Sequence, residues 1–255
     1  MGNTTLGGST FVYNGIKQDY NFIETLNCLY ELCDEVSVSF GGDDGTIEAI
    51  QTWIRGKGSP ENIKWFIFNK EYWNIQQGRE KLSHFSNVAI SQLTTDWNFY
   101  LQADEILHEN SFPLIREYIK RDIPAYLVTR FNLWGSPYTM LNVPQERKPC
   151  SSEVIRLAKT QYRCVGDAES LGVPYCEAAL DVHIYHMGFV RNSVKHLEKI
   201  RHIQDEVFLI DHDKRIDGME KFDPWVFFSP EDVIPIPEEG LPKFIKQWAH
   251  DRSDQ

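Results

Sequence analysis

Short β-rich runs alternate with helical ones through roughly the first hundred residues, and this alternation limits the fold more than any single motif. Ser9–Tyr13 is β-rich and ends at Asn14-Gly15, a turn signal. Phe22, Leu26, Leu29 and Leu32-Cys33 then recur at helical spacing. Val36–Phe40 predicts a second strand, and in the turn Gly41–Thr46 either Asp44 or Thr46 can cap a helix reaching Trp53–Arg55. Trp65–Phe68 predicts a third strand, Gly78–Leu93 a helix and Trp97–Leu101 a fourth strand. A βαβαβαβ order of this kind folds as an α/β, Rossmann-like, mostly parallel sheet flanked by helices, because parallel neighbours need a long crossover. Ligands of such sheets gather outside the carboxyl ends of the strands. Asn14-Gly15, Gly41–Thr46 and Gln102–Glu105 all fall at such ends, so the topology predicts that they converge.

The second half is less regular. Ser111–Arg121 predicts a helix, Ala125–Phe131 a strand, Asn132–Pro149 a long loop or hairpin, and Val182–His186 another strand. Val194, Leu197, Ile200, Ile203 and Val207 mark an amphipathic helix. From Asp211 onwards, Pro224, Pro230, Pro235, Pro237 and Pro242 are mixed with aromatics, a pattern expected to wrap a domain rather than build a second one. The expected division is a main domain over 1–208, with a tail over 209–255 packed on it.

Composition narrows the partners. The chain has 255 residues and a net charge of −11, the wrong sign for a broad phosphate footprint, so non-specific nucleic-acid binding is disfavoured. Five cysteines without a CxxC pair read as free thiols in a reducing compartment. No stretch approaches a membrane span, and the opening MGNTTLGGST lacks the basic start and apolar core of a secretory signal. A cytoplasmic location is therefore expected.

Three segments carry candidate chemistry. In WNFYLQADEIL a hydrophobic strand delivers Asp104 and Glu105 to its exit, where carboxylates suit a hard divalent cation, or else sit solvated in a turn. In His183–Arg191 the odd separation of His183 and His186 puts them on opposite faces of a strand, so at most one enters a given site; His186, before the permissive Gly188, is the better ligand. Asp167 or Glu169 can act as a general base near a hydroxyl nucleophile, against the plainer reading of loop acids. Phe131, Trp134 and Tyr138 could line an acceptor, although core packing suits at least one of them better; Trp134 and Tyr138 are the candidates. The Gly41–Thr46 turn has neither the P-loop lysine nor GxGxxG.

Taken in order, these segments resemble the family 2-type glycosyltransferases of GT-A fold. Phe11–Gly15 resembles that family's opening strand and "YN" turn, and Cys33–Val36 through Gly42–Thr46 its "DEV…GSxDGT" segment. Asn87–Ile90, Asp96-Trp97 and Leu101–Leu107 resemble "N-x-A…GDW…LDADEIL", while Glu153–Leu157 with Gly166–Glu169 resembles "EVRL…GxxHE". His186–Arg191 with Lys199-Ile200-Arg201 resembles the closing "H-x-G-x-x-R…K". The chain departs from the pattern at Gln102, where the family's metal motif begins with Asp, at Ser39 or Phe40, where an acid usually meets the base, and at Ala168, where His is usual.

The resemblance implies an inverting hexosyltransferase-like enzyme that uses a nucleotide-diphosphate sugar and Mn²⁺ or Mg²⁺. Residues 1–107 would form the nucleotide-sugar half and 108–208 the acceptor half. It implies Tyr13, Asn14, Asp44, Arg79, Gln102, Ala103, Asp104 and Arg191 as the nucleotide-sugar site, Asp104 and His186 as metal ligands, and Glu169, with Asp167 second, as the base. A glycan, a lipid-linked sugar or a protein suits the acidic chain better as acceptor than a nucleic acid. Gln102 motivates an alternative, a degenerate GT-A protein that binds a nucleotide or glycan without catalysis. A sugar-nucleotide nucleotidyltransferase fits less well, because Asn14–Lys17 is a poor match to the Gly-rich basic loop it needs.

Overall fold

The computed structural model describes residues 4–202, 204 and 214–253. Its first half follows the expected alternation: β1 (Leu6–Tyr13), α1 (Phe22–Leu32), β2 (Glu35–Gly41), α2 (Thr46–Gly56), β3 (Ile63–Phe68), α3 (Lys70–Ile75), α4 (Glu80–Ser91) and β4 (Trp97–Tyr100). β1 pairs in parallel with both β2 and β4, and β2 pairs in parallel with β3. Nearly every residue of β1 and all of β2 are buried, as expected of parallel strands covered on both faces. Helix α1 buries Phe22, Leu26 and Leu29, the i, i+4, i+7 stripe that the sequence displays.

The spatial order β3-β2-β1-β4 fixes where a ligand can enter. The chain moves outward from β1 to β3 and then returns to the other side of β1, so the topology reverses between β1 and β4. A crevice opens at the carboxyl ends of the strands at such a point.

The second half completes the sheet with mixed polarity. It contributes β5 (Glu105–Leu107), α5 (Phe112–Tyr118), β6 (Ala125–Trp134), β7 (Ser136–Leu141), β8 (Glu153–Lys159), β9 (Arg163–Val165), β10 (Ser170–Gly172), β11 (Glu177–Phe189), α6 (Ser193–His202), β12 (Val233–Pro235) and α7 (Lys243–Ser253). β8 lies antiparallel between β4 and β6, and β11 runs parallel to β6 and antiparallel to β5. The Asn132–Pro149 segment resolves as a hairpin: β6 turns into β7 at Gly135, whose φ of 71° favours glycine. No sustained sequence pattern marks β5, β8 or the β9–β10 hairpin, yet these place the acids at 104–105 and 167–169.

The principal core lies between the sheet and its helices. Leu241, Phe244, Ile245 and Trp248, before and within α7, join it beside α1. A second cluster holds Trp134 with Phe222, Phe228 and Leu197, so the residues after 213 pack on the sheet domain. Ile203 and Val207 of the predicted helix lie outside the described residues.

Candidate functional site

A pocket of about 510 Å³ opens at the topological reversal. Phe11 and Tyr13 of β1, Gln18 and Tyr20 of the following loop, and Gln102, Ala103 and Asp104 after β4 line one part of it. His186, Gly188 and Phe189 at the end of β11, and His196, Lys199 and Ile200 of α6, line another. Cys150, Arg130, Asp167 and Glu169 also line the wall. Of the three segments expected to converge, Gln102–Asp104 lines the pocket, while Asn14 meets Gly41 and Asp43 outside it and only its neighbours Tyr13 and Gln18 reach the lining; α6 adds the cation Lys199.

Asp104 is the electrostatic centre. Its Oδ2 accepts from Arg191 Nη2 at 3.1 Å and from Lys199 Nζ at 3.2 Å, and lies 3.7 Å from His186 Nε2. Burial opposes its charge, but Lys199, His186 and Arg191 together hold the carboxyl well below the usual range. Burial and the neighbouring Arg191 bring the Lys199 ammonium down to about 8. Tyr20 sits under both cations, with Lys199 Nζ 4.8 Å and Arg191 Cζ 5.0 Å from its ring centroid. Arg191 also donates from Nη1 to the Gln18 carbonyl at 2.5 Å. Its side chain is 1% exposed and stands behind Asp104 rather than on the pocket wall.

His186 faces the pocket and His183 does not, as strand alternation requires. His183 instead lies against Phe131, 5.0 Å between ring centroids. The His186 Nδ1 bonds Asn132 Oδ1 at 3.0 Å, which directs Nε2 towards Asp104. Gly188 makes room for this ring, since a Cβ there would come within 2.3 Å of His186 Nε2.

Glu105 points the other way. It is fully buried, and its Oε1 accepts from Arg156 Nη2 at 2.6 Å and Arg130 Nη1 at 3.3 Å, while Oε2 accepts from the Gln102 amide at 3.0 Å. Neither a solvated turn acid nor a pocket ligand, it anchors two guanidinium groups. Arg130 in turn donates to Glu169 Oε1 at 2.5 Å, an oxygen that also accepts from the Ser151 amide at 3.0 Å. Burial raises the Glu169 carboxyl, and the Ser151 and Arg130 bonds more than offset that, leaving it below its ordinary value. The chain Arg156–Glu105–Arg130–Glu169 thereby fixes a carboxylate that is 39% exposed at the pocket wall. Asp167 lines the pocket from the same β9–β10 turn.

Several expected site residues lie elsewhere. Asn14 and Asp44 do not line the pocket. Asn14 Oδ1 accepts from the Asp43 amide at 3.0 Å; Asp44 caps α2 through Thr46 and also accepts from the Lys17 amide at 2.6 Å, so both acceptors serve to tie the two loops together. Arg79 stands exposed at the start of α4, outside the lining. Trp134 is 2% exposed, packs on Phe189 and Phe228 and donates to the Pro224 carbonyl, which corrects its reading as an acceptor wall. Tyr138 is 41% exposed on β7 but is not part of the pocket. Gln102 lines the pocket while its amide nitrogen donates to the Ala168 carbonyl at 3.2 Å.

No motif marks Trp73, which stacks on Tyr13 at 3.9 Å between centroids and lines the pocket with it. Lys199 belongs to the closing stretch of the resemblance, and its i, i+3 spacing from His196 puts both on one face of α6.

As arranged, these residues do not fit a divalent ion. The two expected donors are present, yet Asp104 Oδ2, the oxygen that lies towards His186, already accepts from Arg191 and Lys199. Among the described residues, no group of three or more His, Cys, Asp or Glu side chains is placed to hold a metal. No helix of the described residues is long and apolar enough to cross a membrane, and all five cysteines are free.

No family model and no curated protein matches the sequence. Among solved structures, the chain is similar to S. aureus TarS 1–349, with 14% identity and a TM-score of 0.45 over 83% of this chain and 67% of that one. It is likewise similar to S. aureus TarS 1–349 in complex with UDP, at 14% identity and a TM-score of 0.43 over 83% of this chain and 68% of that one. A putative glucose-1-phosphate thymidylyltransferase from Bacillus anthracis in complex with a sucrose gives 9% identity and a TM-score of 0.36 over 61% of this chain and 72% of that one.

Proposed function

We propose that the pocket binds a nucleotide-diphosphate sugar and that the protein is a glycosyltransferase, moving a hexosyl group to an acceptor hydroxyl with inversion. One observation carries this reading: at the topological reversal, an aromatic wall of Phe11, Tyr13 and Trp73, a cationic end at Lys199 and an accessible carboxylate at Glu169 share one cavity. The aromatic wall suits a base or sugar face, the cationic end a diphosphate, and the carboxylate an acceptor hydroxyl.

In the proposed reaction the acceptor oxygen attacks the anomeric carbon as the bond to the diphosphate oxygen breaks. That electron pair stays with the leaving diphosphate, and the acceptor proton passes to Glu169. Arg130 orients Glu169, and Asp167 is the second candidate for the base. A carboxylate held ionised is ready to accept a proton at neutral pH, and positioning supplies what its modest basicity lacks. The pocket draws residues from both 1–107 and 108–208, which supports a donor half and an acceptor half sharing it. A glycan, a lipid-linked saccharide or a protein is the proposed acceptor class.

The test is turnover of a panel of sugar nucleotides, by transfer to simple glycoside acceptors or by slow hydrolysis, in wild type and Glu169→Gln. Turnover that falls in the variant, with donor binding retained, supports the reading. Donor binding without turnover in the wild type makes the protein a nucleotide-sugar binder, and turnover unchanged in the variant removes Glu169 from the role of base.

A further inference from the structure

We propose that Lys199, held in place by Asp104, carries the charge of the leaving diphosphate without a divalent ion. The inference rests on the glycosyltransferase reading above and deepens it. Three features of the pocket support it.

Lys199 is the cation that faces the cavity beside Asp104. Its ammonium has three N–H donors, and the Asp104 bond at 3.2 Å uses one. Its side chain is 12% exposed and lines the pocket. The Tyr20 ring beneath it gives the charge a second fixed neighbour.

Asp104 is surrounded as an anchor is, not as a metal ligand is. Arg191 behind it and Lys199 beside it supply two positive charges to one oxygen, so the carboxylate is over-neutralised before any ligand arrives. A further cation at that oxygen meets repulsion from both, whereas an anion meets attraction. The Nε–H of Arg191 is buried and has no hydrogen-bond partner among the described residues.

Gln102 is consistent with this arrangement. It occupies the position where the resembled family carries the first acid of its metal motif, and it contributes an amide that bonds the Ala168 carbonyl instead of a charge. Fewer acids at the diphosphate end leave the ammonium better placed to meet phosphate oxygens.

In the reaction, Lys199 donates hydrogen bonds to the oxygen that receives the electron pair of the breaking anomeric C–O bond. It transfers no proton; the acceptor proton goes to Glu169. Arg191 is a positioning residue that acts through Asp104.

The experiment measures binding of UDP, GDP, CDP, ADP and dTDP by titration calorimetry, in EDTA and in excess Mn²⁺ or Mg²⁺, for wild type, Lys199→Met and Lys199→Arg. The expected result is binding of at least one nucleoside diphosphate in EDTA, changed less than about threefold by metal. Lys199→Met should weaken it about tenfold or more, with Lys199→Arg restoring a substantial part, and circular dichroism should show both variants folded. Binding that requires Mn²⁺ or Mg²⁺ overturns this inference while leaving the glycosyltransferase reading standing. So does metal-free binding that is indifferent to Lys199→Met. Absence of binding for every nucleoside diphosphate, with and without metal, overturns both.

Discussion

At Glu169, the Ser151 amide and the Arg130 guanidinium converge on Oε1 and hold the carboxylate ionised at the pocket wall. A base that acts only when the acceptor loses its proton affects turnover and leaves donor binding alone. Glu169→Gln is therefore expected to lower the transfer rate by about 10²–10⁴-fold with little change in donor affinity, read by initial rates beside calorimetry. Gly188 makes a separate prediction. An alanine Cβ there would meet the His186 ring at 2.3 Å, so Gly188→Ala should push His186 off its Asn132 bond and cost about 1–3 kcal/mol of stability, measured by denaturant unfolding. Much at this scale was legible beforehand. Strand alternation alone separates His186 from His183, and the β4 exit picks out Asp104. What could not be read was direction: neighbouring acids at 104 and 105 look alike in sequence, but one faces the pocket and the other the core.

At the scale of elements, the reason is distance along the chain. Glu105 meets Arg156 from a strand 51 residues later, and no local periodicity reveals that partner. Antiparallel β8 brings Arg156 between β4 and β6, where it and Arg130 share the buried carboxylate. Replacing Glu105 by Gln would leave two buried guanidinium groups short of an anion. The expected loss is about 3–5 kcal/mol of unfolding free energy, together with a displaced Glu169, and urea denaturation followed by Trp fluorescence measures the first. The parallel half was readable because βα alternation is a local signal. The hairpin of β9 and β10 was not, being three residues per strand with no sustained pattern. Trp134 shows the same limit, since an aromatic residue in a Gly/Pro-bearing stretch looks available until Phe222 and Phe228 pack over it.

Helix α1 also carries a pH-dependent contribution. Burial pushes the Glu24 carboxyl up to about 7, with Arg252 opposing and Asp251 adding to the rise. Its folded pKa lies above the ordinary carboxylate value, so its contribution to stability is full below about pH 4.5 and is lost as pH rises to about 7. Glu24→Gln removes that loss. The stability of the variant relative to wild type should increase between pH 4.5 and 7 and level off above, as thermal unfolding across that range would show. A difference that falls as pH rises would contradict the burial assigned to Glu24.

For the whole molecule, the net charge of −11 gives no direct guide to the pocket. The acids expected to gather around a cation are divided between an anchor at Asp104, a core ion pair at Glu105 and an accessible carboxylate at Glu169, while four basic side chains, Arg130, Arg156, Arg191 and Lys199, are drawn in among them. The fold explains how an acidic chain can offer an anion a favourable place: the β1–β4 reversal opens the crevice, and α6 closes one side of it with Lys199. The most direct measurement is the position of a bound nucleoside diphosphate in a crystal structure of the complex. The base or ribose is expected against Tyr13 and Trp73, and the diphosphate within hydrogen-bond reach of Lys199. A nucleotide bound elsewhere on the molecule, with this pocket empty, would contradict that placement.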